Sequence, residues 1–117
     1  MLRRSPSPPA RVEPLLELLG PDVRLYWDQA VAKPPGTTSD TPWHQDAQYF
    51  RDAENVHVPT LWIPLQPVNE QNSCLQVAAG LHRGQLHAGY DDPETGFLGL
   101  SPAARRGLQG ISMVMQP

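Results

Sequence analysis

His44 and Asp46 stand two residues apart in the stretch Thr41 to Phe50, TPWHQDAQYF. On an extended strand that spacing turns both side chains to one face, where the imidazole and the carboxylate converge. A divalent cation suits such a pair. A histidine and a carboxylate are two of the three protein ligands of the facial triad that holds non-haem Fe(II) and leaves the remaining positions open. The same tripeptide also occurs as an exposed polar pair, so the surrounding elements decide its meaning.

A chain of 117 residues makes at most one domain with a modest core. Hydrophobic residues at 39% and charged residues at 18% fit a globular fold. Net charge is −3 with no basic block, which argues against a nucleic-acid partner. No apolar run is long enough to span a bilayer and the amino terminus has no h-region, so neither a membrane segment nor a secretory signal is expected. The lone Cys74 allows no internal disulfide and suits a reducing, cytoplasmic setting. It reads as a small buried side chain rather than a nucleophile. Fourteen prolines and nine glycines favour short strands and turns over a helical bundle.

Residues 1–12 are polar and proline-rich and are expected to be a disordered tail, with one domain over residues 13–117. Leucines at helical spacing predict a short helix over Glu13 to Leu19, stopped by Gly20 and Pro21, with its leucine face in the core. Asp22 to Lys33 reads as an extended segment, Thr37 to Thr41 as a loop, and Trp43 to Phe50 as the strand carrying the motif. Arg51 to Asn55 is a charged connection. Val56 to Val68 is the strongest strand signal, interrupted by Pro59, Pro64 and Pro67. Asn69 to Ser73 predicts a turn and Cys74 to Ala79 a short strand closed by Gly80. Leu81 to Pro102 reads as a long loop, Ala103 to Leu108 as one helical turn, and Gly110 to Met115 as a further strand. Short strands at near-regular spacing predict a mainly β sandwich or barrel of the jelly-roll kind.

Four blocks in order, KPPG at Lys33 to Gly36, PWHQDAQYF at Pro42 to Phe50, LWIPLQPV at Leu61 to Val68 and NSCLQVAAGLHRG at Asn72 to Gly84, resemble the phytanoyl-CoA dioxygenase family. The resemblance covers roughly residues 22 to 117. It implies a double-stranded β-helix and an Fe(II)- and 2-oxoglutarate-dependent oxygenase acting on a small organic or acyl substrate. It further implies that His44 and Asp46 are the first two iron ligands, that Trp62 stands beside the 2-oxoglutarate site, and that Gln29 contacts this co-substrate. A solvent-facing strand glutamine is the other reading of Gln29, and a core aromatic is compatible with Trp62. Asn72 is expected to shape a turn behind the site. Where the family reads P-G-S-H this chain has Ala79-Gly80-Leu81-His82, and His82 is expected to be structural. His57 and His87 match no family role and read as surface histidines.

The family's distal iron-ligating histidine and the arginine that pairs with 2-oxoglutarate lie beyond the strand that begins near Gly110. The resemblance therefore implies an incomplete β-helix, the amino-terminal part of the domain. Little oxygenase activity of the isolated chain is expected, with unpaired strand edges that favour self-association. Besides the oxygenase reading, a non-catalytic β scaffold stands as the alternative. A cupin-like metal-binding domain is a third reading, and it would want more histidines near His44.

Overall fold

The computed structural model describes residues 9–36, 40–50 and 57–116. The start of the expected tail (1–8), most of the expected loop (37–39), the charged connection with the first residue of the strand expected after it (51–56), and Pro117 lie outside the described residues. The chain divides into two units, Met1–Thr38 with Ala53–Leu61 and Ser39–Asp52 with Trp62–Pro117.

In the first unit, helix α1 spans Pro9–Leu19, beginning four residues before the leucine repeat predicts. It ends where expected. Gly20 takes a left-handed conformation, φ 86°, and donates its N–H to Leu16 O at 2.9 Å, the single-bond cap that glycine makes without a Cβ clash. The leucine face is not a core: Leu15 and Leu19 are half-buried, Leu16 and Leu18 exposed, and no residue of α1 is buried. Pro14 inside the helix also removes one i→i−4 bond. The segment 22–33, expected to be extended, forms no strand, and Leu25, Tyr26, Trp27 and Val31 are exposed.

The second unit holds the buried residues. Strand β1 (Gln76–Val77) pairs antiparallel with β4 (Ile111–Ser112), Gln76 opposite Ser112 and Val77 opposite Ile111. The pairing resumes at Val68 and Met115, which exchange two backbone bonds of 2.9 and 3.1 Å. One ladder is thus interrupted by an excursion on one side only, and the excursion is the predicted turn, now a 3₁₀ helix over Glu70–Asn72. Asn72 closes it, accepting from Asn69 N at 2.6 Å and donating to Pro67 O at 2.8 Å, which is the structural role expected of it. The long strand expected over Val56 to Val68 reduces to this bridge at Val68, because Pro59, Pro64 and Pro67 have no N–H to donate to a ladder.

Leu81 to Pro102 is more ordered than the loop expected. A 3₁₀ helix at Leu81–Arg83 precedes a hairpin of β2 (Tyr90–Asp91) and β3 (Leu98–Gly99). Asp92, 7% exposed, closes its turn by accepting from Glu94 N at 3.0 Å and Thr95 N at 3.4 Å. Helix α2 (Pro102–Arg105) follows, capped by Ser101 Oγ on Ala104 N at 3.2 Å, and Arg105 reaches Asp92 at 3.7 Å. The core is small: Pro42, Pro64, Val68, Gly99 and Leu100 are buried, Leu100 to 3% exposure. All strands among the described residues are two residues long, short of what would establish the incomplete β-helix that the resemblance implies. No described helix is long and apolar enough to cross a membrane.

Candidate metal centre

The strand expected over Trp43 to Phe50 does not form; Gln45 is extended (φ −111°, ψ 123°) and leads into a 3₁₀ helix over Asp46–Tyr49. The convergence predicted for His44 and Asp46 survives. Alternation of side chains depends on the residue between them, and one extended residue is enough to put both on one side. His44 Nε2 lies 3.2 Å from Asp46 Oδ1. The turn that follows is closed by Gln48 N to Gln45 O at 2.8 Å and by the Gln48 side chain, whose Oε1 accepts from Gln45 N at 3.0 Å.

His44 Nδ1 lies 2.8 Å from Pro42 O. A carbonyl only accepts, so Nδ1 donates, and Nε2 is the ring atom presented to Asp46. This backbone anchor is the kind that orients metal-binding imidazoles. Tyr49 packs its ring at 88° to the imidazole with centroids 5.8 Å apart and donates its hydroxyl to Leu98 O at 2.6 Å. The hydrogen bond that His44 donates to Asp46 holds the His44 pKa above its ordinary 6.5, with the Pro42 bond and the Asp46 charge adding and burial opposing. Burial raises the Tyr49 phenol above its ordinary value, helped by the Asp46 charge. The side chains of His44 and Asp46 are 26% and 43% exposed, open to an ion from solvent.

The motif is fastened to one distant stretch of chain. Gln45 Nε2 donates to Gln85 O at 3.2 Å while its Oε1 accepts from His87 N at 2.9 Å. Gln48, a buried glutamine, donates to His87 O at 3.1 Å. Leu100 N donates to Trp43 O at 2.6 Å, a contact that Gly99 makes room for: a Cβ there would stand 3.1 Å from both Pro42 Cβ and Trp43 O. Sequence reasoning passed over Gln45 and Gln48. The only sign was two amides flanking Asp46 at positions an exposed strand would leave to solvent.

Of the four residues expected to hold metal or co-substrate, the structure brings His44 and Asp46 together. Trp62 is half-buried in the same unit, and Gln29 is exposed in the first unit. His57, His82 and His87 are exposed and Cys74 is half-buried. No group of three or more His, Cys, Asp or Glu side chains that could hold a metal gathers among the described residues. An open cavity of about 350 Å³ beside Ala78, Leu81, Leu108 and Ile111 shares no residue with the pair.

The sequence model for the family described as Phytanoyl-CoA dioxygenase (PhyH) matches residues 9–105. The chain is 31% identical over 78 residues to "Phytanoyl-CoA dioxygenase, peroxisomal" of Bos taurus, covering 64% of this chain and 23% of that protein. To the protein of the same name from Homo sapiens it is 31% identical over 70 residues, 57% of this chain and 21% of that protein. To the "Probable phytanoyl-CoA dioxygenase" of Caenorhabditis elegans it is 30% identical over 84 residues, 67% and 27% of the two chains. The matches thus span about a quarter of the length of these relatives. No solved structure matches significantly.

Proposed function

We propose, for a chain that belongs to the phytanoyl-CoA dioxygenase family, that it carries the His-x-Asp edge of an Fe(II)- and 2-oxoglutarate-dependent oxygenase site acting on a small organic or acyl substrate. The observation that carries this reading is the 3.2 Å approach of His44 Nε2 to Asp46 Oδ1, with Nδ1 tied back to the Pro42 carbonyl. An imidazole nitrogen with a carboxylate oxygen is a donor set that suits Fe(II). In this reading His44 offers the Nε2 lone pair in a fixed direction, Asp46 supplies negative charge on the same side, and Tyr49 covers one edge of the imidazole. Bound Fe(II) with 2-oxoglutarate would supply oxidative decarboxylation coupled to oxygenation of a C–H bond. Trp62 and Gln29 are assigned to the co-substrate, and the double-stranded β-helix to the complete domain, on the family resemblance.

Among the described residues no third His, Cys, Asp or Glu side chain joins His44 and Asp46. That observation favours a second reading, a non-catalytic scaffold that keeps the pair without completing the centre. The test is anaerobic titration with Fe(II) and 2-oxoglutarate, watching for the weak visible charge-transfer band of the chelate. A band that vanishes in His44→Ala supports the oxygenase reading. Its absence at saturating iron leaves the scaffold reading.

A further inference from the structure

The residue between the two candidate ligands is held through both its backbone and its side chain. Gln45 sets the convergence of His44 and Asp46 through its extended backbone, and both that backbone and its side chain are engaged. Its N–H is taken by Gln48 Oε1, its carbonyl by Gln48 N, and its side-chain amide by Gln85 O and His87 N. Gln48 then takes the carbonyl of the same residue, His87 O. Two primary amides on one turn therefore satisfy three backbone groups of residues 85–87, as a neighbouring strand would. The far end of that loop is held by Tyr49 on Leu98 O, and the Tyr49 ring lies against His44.

From this arrangement we infer that Gln45 and Gln48 are positioning residues for the metal centre, and that the loop from Gln85 to Leu98 and the His44–Asp46 pair form one mechanical unit. The inference rests on the metal reading of that pair. A side chain that orients ligands without touching the metal typically changes metal affinity by about 10- to 100-fold when removed. By linkage, an ion that prefers the aligned pair also orders the loop. Metal binding therefore protects the His87 amide, a group 42 residues from Gln45 in sequence that touches no metal.

The probe is Co(II) alone, titrated into the full chain with visible absorbance as readout, alongside hydrogen exchange at the His87 amide. Gln45→Met keeps the length of the side chain and removes both amide contacts. Asn72→Ala removes the two turn bonds at Pro67 and Asn69 and serves as a control for loss of structure elsewhere in the unit. The expected result is a Co(II) dissociation constant raised about tenfold or more in Gln45→Met, loss of His87 protection, and an unchanged dissociation constant in Asn72→Ala. Co(II) is expected to slow exchange at His87 in the parent chain and not in Gln45→Met. Equal weakening in Asn72→Ala, or a parent-like affinity in Gln45→Met with the loop released, overturns the inference while the metal reading stands. A chain whose Co(II) binding is indifferent to His44→Ala overturns the metal reading itself, and the inference with it.

Discussion

Asp46→Asn keeps the shape of the side chain and removes its charge, so it asks whether the carboxylate is present for His44 or for a metal. As a structural ion pair, His44–Asp46 is half open to solvent, with Asp46 43% exposed. Exposed pairs of this kind contribute about 0.2–1 kcal/mol. Asparagine also retains an acceptor for the imidazole N–H, so the loss in the metal-free chain belongs at the lower end. With a urea slope of about 2 kcal/mol per molar, the midpoint shifts by less than about 0.5 M. As a ligand, the carboxylate is one of the two donors that the His44–Asp46 pair offers. Removing a residue that merely orients a ligand weakens binding up to about 100-fold, and losing a ligand exceeds that, or more than about 2.7 kcal/mol. The two effects thus differ several-fold and are read separately, by urea denaturation of the metal-free chain and by anaerobic Fe(II) titration. A variant that binds Fe(II) like the parent, or that loses more than about 2 kcal/mol without metal, refutes the assignment of Asp46 as a ligand.

The raised pKa of His44 sets a sign for pH dependence in the metal-free chain. The folded state holds the proton more tightly than the unfolded chain, so this contribution is complete below about pH 6.5 and fades as pH rises through the higher folded value. Urea midpoints should show a downward step in that window that is reduced in Asp46→Asn, whereas Fe(II) affinity should climb across it as metal displaces the proton. Gly99→Ala would press a methyl against Pro42 Cβ and Trp43 O at 3.1 Å, and a loss of about 1–3 kcal/mol is expected in equilibrium unfolding. Asp92→Ala leaves the amides of Glu94 and Thr95 without their acceptor and should cost about 1.5–3 kcal/mol, while Arg105→Met, which removes a half-exposed partner at 3.7 Å, should cost under about 1 kcal/mol in the same assay.

What could be seen in the sequence was what depends on neighbouring residues. The cap at Gly20, the turn around Asn72 and the convergence of His44 with Asp46 each arise within a few residues, and each stands in the structure. The family resemblance was visible for the same reason, through short blocks in order. The expected strand at Trp43 to Phe50 failed because DAQY carries no period that distinguishes a strand from a 3₁₀ turn, and the turn is closed by a glutamine side chain. The leucine face of α1 was expected in a core because periodicity reports amphipathicity, not what lies opposite. Gln45 and Gln48 were passed over because their partners are backbone groups of residues 85–87, and a backbone carbonyl leaves no mark in sequence.

The ties that hold the site together span long stretches of chain, 39 and 42 residues for the Gln48 and Gln45 bonds to His87 and 49 for Tyr49 to Leu98. Closing a loop of about 40 residues carries an entropy of roughly 3 kcal/mol, while one hydrogen bond returns a net of about 1 kcal/mol. No single tie can hold the loop shut, so they form together or not at all. Such high contact order places their assembly late in folding, after the local hairpin of β2 and β3 has closed. On a ribosome, the turn that carries His44 and Asp46 consequently stands on its local bonds alone, Gln48 to Gln45 and His44 to Pro42, until the chain through Leu98 has emerged.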